Sequence, residues 1–316
     1  MTEIHETRFA DFPALRMESD ELAIVCIPEL GGKIASLVNK RNGFDCAFVN
    51  PYTGIVKYPY DAPYTTSDCG IGELLPSIGV GAYPDAPWKG IPLPDKGELW
   101  TQGFETKIEG GSLVQRAQGV RFPYIFSRRL SLEGGRVRLD YGLENTCAFD
   151  FKYIWSMQPH LRLSGDMEIA APEGASFFVD WSKNYRFDTA TGKYRWPLGL
   201  AEGDRRRVDF SRIDAMNGDA DKLYLADMAR GEVSLIYHRH SQRVSFLFDT
   251  AINAYCGLWI NKAGWPVEGN PTSLVAVQPC NCMSDFFEIT DRNGAIGLVK
   301  AKSKNEWSVT LEIDRI

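Results

Sequence analysis

Strict alternation between apolar and polar side chains is the feature that most limits what this chain can become. Val137, Leu139, Tyr141 and Leu143 alternate with Arg136, Arg138, Asp140 and Gly142, and Trp307, Val309, Leu311 and Ile313 alternate with Ser308, Thr310 and Glu312. A period of two sends every second side chain to the same face of an extended strand, so each run needs a second layer to cover its apolar face. Phe246 and Phe248 flank Leu247 in a further run of this kind. Glu133–Gly134–Gly135–Arg136 separates Ile125–Leu132 from Val137–Leu143 and reads as a hairpin turn. Pro28–Gly32 joins Leu22–Ile27 to Lys33–Val38 in the same way.

Helical signals are scarce. Thr66–Ile78 has some helical character, weakened by Pro76 and its glycines. Asp61–Pro94, rich in Pro, Gly and Tyr, is expected to be a long ordered loop that packs Tyr64, Tyr83 and Trp88; Ala201–Asp219, the most polar region, is expected to be a surface excursion. Neither has the low complexity of a domain boundary, and no short repeat is present. The expectation is an all-β chain, one antiparallel β-sandwich domain over residues 1–316, with its binding site where loops meet the concave face of a sheet.

Charge and composition narrow the function classes. A formal net charge of -6 and the absence of a basic stripe argue against nucleic acid. Met1–Arg8 is not a signal peptide, and no apolar window reaches the ~18 residues of a membrane span. Seven cysteines, none in C-x-x-C spacing, read as reduced thiols in a cytoplasm, most of them small core hydrophobes. The oligomeric state is not legible.

Of the four histidines, His5 lies near a terminus and His238 and His240 suggest exposed surface. His160 closes the apolar stretch Ile154–Trp155–Ser156–Met157–Gln158–Pro159, where a rigid scaffold can present a proton donor; a buried histidine held by a carbonyl is the other reading. Three further segments group acids, amides and aromatics. Pro92–Trp100 projects Asp95, Lys96 and Glu98 from a stiff turn beside Trp100; Asp219–Tyr224 carries two aspartates able to accept sugar hydroxyls; and Leu274–Val277 ends in Gln278–Pro279 much as the earlier strand ends near Pro159–His160. Two such strand ends are expected to face each other across one cleft.

Together these segments resemble the aldose 1-epimerase, or galactose mutarotase-like, family, in particular a divergent branch with a W-x-G-x-x-L-P-D-H-G-E-x-W segment. The chain has Trp88–Lys89–Gly90–Ile91–Pro92–Leu93–Pro94–Asp95–Lys96–Gly97–Glu98–Leu99–Trp100, and Gly31–Gly32–Lys33–Ile34–Ala35–Ser36–Leu37 is similar to the family's G-G-x-I-x-S-L start. Gln158–Pro159–His160, Asp221–Lys222–Leu223–Tyr224, Gly257–Trp265 and Ala276–Cys280 match in order, so the resemblance runs over roughly residues 20–313. It implies a β-supersandwich and a cofactor-free interconversion of sugar anomers, in which a carboxylate takes the anomeric hydroxyl proton and a histidine, here His160, protonates the ring oxygen. Asp221, Lys222, Trp100 and Trp259 would then contact the sugar.

The departures are chemical. Where the family has its catalytic glutamate this chain has Gln278, which keeps the shape but cannot take a proton at neutral pH. Lys96 and Lys222 replace family histidines, and a family arginine has no clear counterpart, Glu73 standing nearby. The replacement base is sought among Glu98, Asp221 and Glu73, with Glu98 preferred for sharing the turn of Lys96. The two lysines suggest an anionic sugar. Three functions stay open: a mutarotase, a sugar-binding protein without catalysis, and lyase or hydrolase chemistry on the same scaffold.

Overall fold

The computed structural model describes residues 2–64, 69–189, 192–203, 205–213 and 216–316. Its strands follow the alternation closely. Arg136–Asn145 pairs antiparallel with Lys304–Arg315, setting Val137 opposite Leu311, Leu139 opposite Val309 and Tyr141 opposite Trp307, and all six side chains are buried. Their polar neighbours Arg136 and Arg138 face solvent. The Gly134–Gly135 hairpin and the Leu22–Ile27/Lys33–Asn39 hairpin form as the turn residues require.

Two large antiparallel sheets hold most of the strand residues among the described residues. The 12-stranded sheet runs in space from Glu3–Phe9 through Phe12–Glu18, Leu22–Ile27, Lys33–Asn39, Ile71–Leu74, Ser156–Arg162, Thr272–Cys280, Tyr255–Trp265, Ala220–Ala226 and Ser176–Ser182 to Lys193–Arg195, with Phe44–Asp45 beside Lys33–Asn39. The 9-stranded sheet has the two long strands above at its centre, flanked by Tyr124–Glu133 on one side and Gln242–Phe248 on the other. A continuous apolar core contains residues from both, from Met17 and Ile24 to Val309 and Ile313. This is the antiparallel β-sandwich expected from the alternation and the resemblance. Among the described residues the only α-helix is Phe287–Arg292, and no helix is long and apolar enough to cross a membrane.

A polar staple crosses the core. Arg128, from the smaller sheet, donates through Nη1 to Glu73 Oε1 at 2.8 Å, and both side chains are fully excluded from solvent. The Tyr141 hydroxyl (3.0 Å) and the Trp155 indole N–H (3.1 Å) also donate to this carboxylate, while Gln115 accepts from Arg128 Nε at 3.0 Å. A buried pair with all its hydrogen bonds made adds little net stability, but removing one partner would strand the other charge.

Three sequence expectations need correction. In Thr66–Ile78, residues Thr66, Ser67 and Asp68 lie outside the described residues; of the rest, Ile71–Leu74 is a buried strand, because Gly70 (φ +54°) and Pro76 bound a run too short for a helix. The described part of Asp61–Pro94 is therefore more than a loop. It also holds the small ladder Gly81–Ala82/Pro92–Leu93, and Tyr83 is buried against Phe122 and Phe151. Ala201–Asp219 is anchored as well as exposed, since Phe210 packs on Phe177 and Phe187 and Ile213 is buried. All seven cysteines are free, and six are buried.

Candidate active site

Alternation also builds the site. Along Ser156–Arg162 and Thr272–Cys280, Met157, Leu161, Val275 and Val277 enter the core, so Gln158, His160 and Gln278 emerge on the other face of the sheet. There they line a cavity of about 310 Å³. The two strands are neighbours, with His160 opposite Ala276 and Ser156 opposite Cys280, which sets Gln158 beside Gln278. His160 and Gln278 thus lie within their strands and side by side on one sheet, where facing strand ends were expected; the backbone continues past each to Arg162 and Cys280.

The next strands extend the same face. Trp259 pairs with Ala276 and with Lys222, and both Trp259 and Lys222 border the cavity. Gly257, opposite Gln278, leaves the space in which Lys222 Nζ donates to Gln278 Oε1; a Cβ there would lie 3.0 Å from both atoms. Beyond them the register of Ser176–Ser182 shifts between Val179 and Trp181. This bulge adds a residue to the strand and lets consecutive residues, Asp180 and Trp181, both line the cavity. Trp181, Trp259 and Trp265 form one wall, with ring centroids 5.4–6.5 Å apart.

The opposite wall comes from loops. Lys96 (φ +58°) and Gly97 (φ +72°) make a left-handed turn pinned by Lys96 N–H to Ile78 O (2.7 Å) and Glu98 N–H to Leu75 O (2.6 Å). Gly97 has no substitute there, because a Cβ would meet Leu75 O at 2.3 Å. The turn aims Lys96 into the cavity and Glu98 away from it. Tyr64, whose N–H donates to Asp95 Oδ2 at 2.9 Å, completes this wall.

Asp285 is the electrostatic centre. Its carboxylate lies 3.3 Å from Lys96 Nζ and 3.4 Å from Lys222 Nζ, and it accepts from the Tyr224 hydroxyl. Burial alone would raise its pKa, but the two ammonium groups and the hydroxyl outweigh burial and hold it well below the usual carboxylate range. Its backbone N–H donates to Asp180 Oδ2 at 3.3 Å. Asp180 is pushed up to about 6, first by burial and then by the Asp285 charge, with Ser284 and Lys222 offsetting only part. His160 is lowered well below 6.5, by burial and then by Lys33, Lys96 and Lys222, so its imidazole is neutral at neutral pH. The cavity thus combines a carboxyl able to carry a proton with an imidazole able to accept one.

The residues read from the sequence divide into two groups. His160, Gln278, Lys96, Lys222 and Trp259 border the cavity together. Glu98, Glu73, Asp221 and Trp100 do not. Glu98 is buried beneath the turn, accepting from Tyr60 (2.7 Å), Tyr124 (2.8 Å) and the N–H groups of Val120 (3.0 Å) and Arg121 (2.8 Å). Glu73 belongs to the core staple. Asp221 precedes Lys222, so its side chain leaves the other face of the strand, to Ser182 (2.8 Å) and Arg186 (2.6 Å). Trp100 stands behind the wall, its ring edge-on to Tyr64 at 5.1 Å. Missed in the sequence were Asp180, Asp285, Trp181 and Gln158. An acid inside Phe177–Phe178–Val179–Asp180–Trp181, on the face opposite Phe177 and Val179 and next to a tryptophan, was the available signal for the first.

No protein-family model matches the chain, and no curated protein matches it in sequence. Solved structures match it in shape. A galactose mutarotase-like protein from Lactobacillus casei superposes with TM-score 0.66 at 16% identity, covering 95% of this chain and 100% of its own. One from Clostridium acetobutylicum gives 0.68 at 10%, covering 99% of each chain. A galactose mutarotase related enzyme from Lactobacillus acidophilus gives 0.64 at 14%, covering 95% of this chain and 97% of its own. At such identities the likeness establishes the fold.

Proposed function

We propose that the protein is a carbohydrate-active isomerase of the aldose 1-epimerase kind, with Asp180 and His160 as its proton-transferring pair. One observation carries this reading: a carboxyl raised to about 6 and an imidazole kept neutral border the same cavity, beside a wall of three tryptophans. Burial favours the neutral form of both groups, so one site holds a protonated carboxyl and an unprotonated imidazole together.

An aldose ring lays its C–H face on the tryptophan wall. Neutral His160 takes the proton of the anomeric hydroxyl while the Asp180 carboxyl gives its own to the ring oxygen. The C1–O bond breaks, the open-chain aldehyde rotates about C1–C2, and the reverse transfers close the ring on the other face. Asp285 stays ionised throughout and keeps Asp180 protonatable. Gln278, held by Lys222, and Gln158 orient hydroxyls.

This reading replaces Glu98 as the acid–base carboxyl and drops the anionic ligand. Lys96 and Lys222 both face Asp285, and the two ammonium groups share the cavity with three carboxyl groups, Asp95, Asp180 and Asp285. A neutral aldose fits that balance. Anomer exchange of glucose, galactose and other free aldoses, followed by NMR against the spontaneous rate, tests it; binding without acceleration refutes it. One observation favours that second reading, a sugar-binding protein: Gln278, where the resemblance calls for a carboxylate, is held as a hydrogen-bonding amide by Lys222.

A further inference from the structure

The cavity does not end at its mouth. Phe286 borders it and also borders a second hollow of about 630 Å³, lined by Val80, Tyr83, Lys89, Glu288 and Asp291 among others. Among the described residues no other lines both. The Phe286 ring is 48% exposed although it follows a carboxylate fixed at the centre of the site, and the outermost tryptophan of the wall, Trp265, is 39% exposed. Its place is held from below: Gly79 N–H donates to Asp285 O at 2.7 Å, and the helix Phe287–Arg292 begins directly after it.

Two features indicate what such a continuation accommodates. The inner cavity, with one aromatic wall and convergent polar groups, has the make-up of a site for a single sugar ring. The second hollow mixes apolar surface with charged groups: Lys152 is shared by Asp291 and Asp85 at 2.8 Å, Glu288 pairs with Arg292, and Lys89 supplies the third positive charge, so it offers hydrogen bonds while the charges in and beside it balance. A lipid would strip the water from these ion pairs and return no hydrogen bonds for it, and a strongly charged ligand would find no excess of opposite charge. A chain of neutral rings bearing hydroxyls meets both demands.

We infer that the ligand is an oligosaccharide: its terminal reducing unit occupies the cavity, the next unit stacks on Phe286, and the following unit enters the second hollow. This rests on the sugar reading of the cavity but not on catalysis. Affinity is measured calorimetrically for glucose, galactose and the di-, tri- and tetrasaccharides of the malto-, cello- and β-galacto-series. In at least one series it should rise by roughly tenfold or more from one unit to three, the scale of one added aromatic contact. Phe286→Ala, at a half-exposed position, should remove that gain, weakening the trisaccharide by about tenfold and the monosaccharide much less. The methyl NMR signals of Val80 and Ile289 should move with the trisaccharide and not with the monosaccharide.

The inference is overturned if no series gains affinity with length, if no oligosaccharide binds, or if Phe286→Ala weakens monosaccharide and trisaccharide alike. Its failure is separable from that of the isomerase reading. Length-dependent binding without anomer exchange would sink only the isomerase, and accelerated exchange of a monosaccharide without a length effect would sink only the oligosaccharide.

Discussion

Two sets of carboxylates distinguish the inside of the sandwich from its open face. In the core, Glu73 is matched to Arg128, Tyr141 and Trp155, and Glu98 to two tyrosine hydroxyls and two backbone N–H groups. Each has its acceptor capacity filled by fixed protein donors. On the open face, Asp285 shares two lysines that also border the void, and Asp180 beside it is pushed up to about 6. The first two are fully buried and the second two only partly so. What also differs is whether the partners are complete without a ligand. Complete sets hold a fold together; a carboxyl bordering a void with its proton affinity shifted is equipped for chemistry.

The comparison breaks most visibly if the open-face groups prove dispensable. Asp180→Asn and His160→Ala should each lower the catalysed anomer exchange by about 10²–10⁴-fold, the contribution of a positioned acid or base, with only small changes in unfolding midpoint. An Asp180→Asn protein of unchanged rate would return the search for the carboxyl to the core. The core set makes the opposite expectation. Glu73→Gln leaves the Arg128 guanidinium buried against a neutral amide and should destabilise the protein by about 3–5 kcal/mol in denaturant unfolding. Glu98→Gln is milder: the amide NH₂ must face N–H or O–H groups that donate toward the same place, a loss of about 1–3 kcal/mol. Any folded Glu98→Gln protein should keep its rate, which separates it from the cavity residues.

Much of this architecture was legible. The alternation in Val137–Leu143 and Trp307–Ile313 dictated two covered sheets, because a period-two pattern has no other way to bury its apolar half. His160, Gln278, Lys96, Lys222 and Trp259 were found, and the cavity collects them. Glu98 and Asp221 were not distinguishable from site residues, since each is adjacent in sequence or nearly so to a lysine that does face the cavity, and direction reverses from one strand residue to the next or across a left-handed turn. Trp181 was hidden by the bulge at Val179–Trp181, a backbone irregularity that no alternation rule anticipates, whereas Asp180 lies on the face opposite Phe177 and Val179, as alternation requires. Asp285 owes its role to Lys96 and Lys222, which are distant in the chain, so nothing local marks it.

The pH dependence sharpens the contrast within the open face. The active form carries one proton between Asp180 and His160. The rate should therefore fall as pH rises through about 6, where Asp180 loses that proton, and fall again at a pH well below 6.5, where His160 gains a second. Asp285→Asn removes the negative neighbour and leaves Lys96 and Lys222 uncompensated; both changes favour ionised Asp180, so the upper limb should move to lower pH. A limb that stays at its place, or moves up, would show that the two aspartates are not coupled. The linkage to folding has its own sign. A carboxyl whose pKa is raised in the folded state binds its proton there more tightly than when unfolded, so this contribution to stability is full below about 4 and declines as pH rises through about 6.

The smallest effect is expected at Gln278, and it bears on whether the open face is catalytic at all. Gln278 accepts a hydrogen bond from Lys222 and neighbours His160 on the adjoining strand. Gln278→Glu would turn that contact into an ion pair without changing the shape of the site. The new charge draws Lys222 from Asp285 and raises the proton affinity of His160, making it a stronger base. In an enzyme using the Asp180–His160 pair, anomer exchange should rise by less than about tenfold, and Asp180→Asn should still abolish it in the Gln278→Glu background. In a binding protein, exchange would appear only with the new glutamate and would survive Asp180→Asn, because the introduced carboxylate would then be the base. The double variant, read by NMR anomer exchange, separates these cases even though the single substitution raises the rate in both.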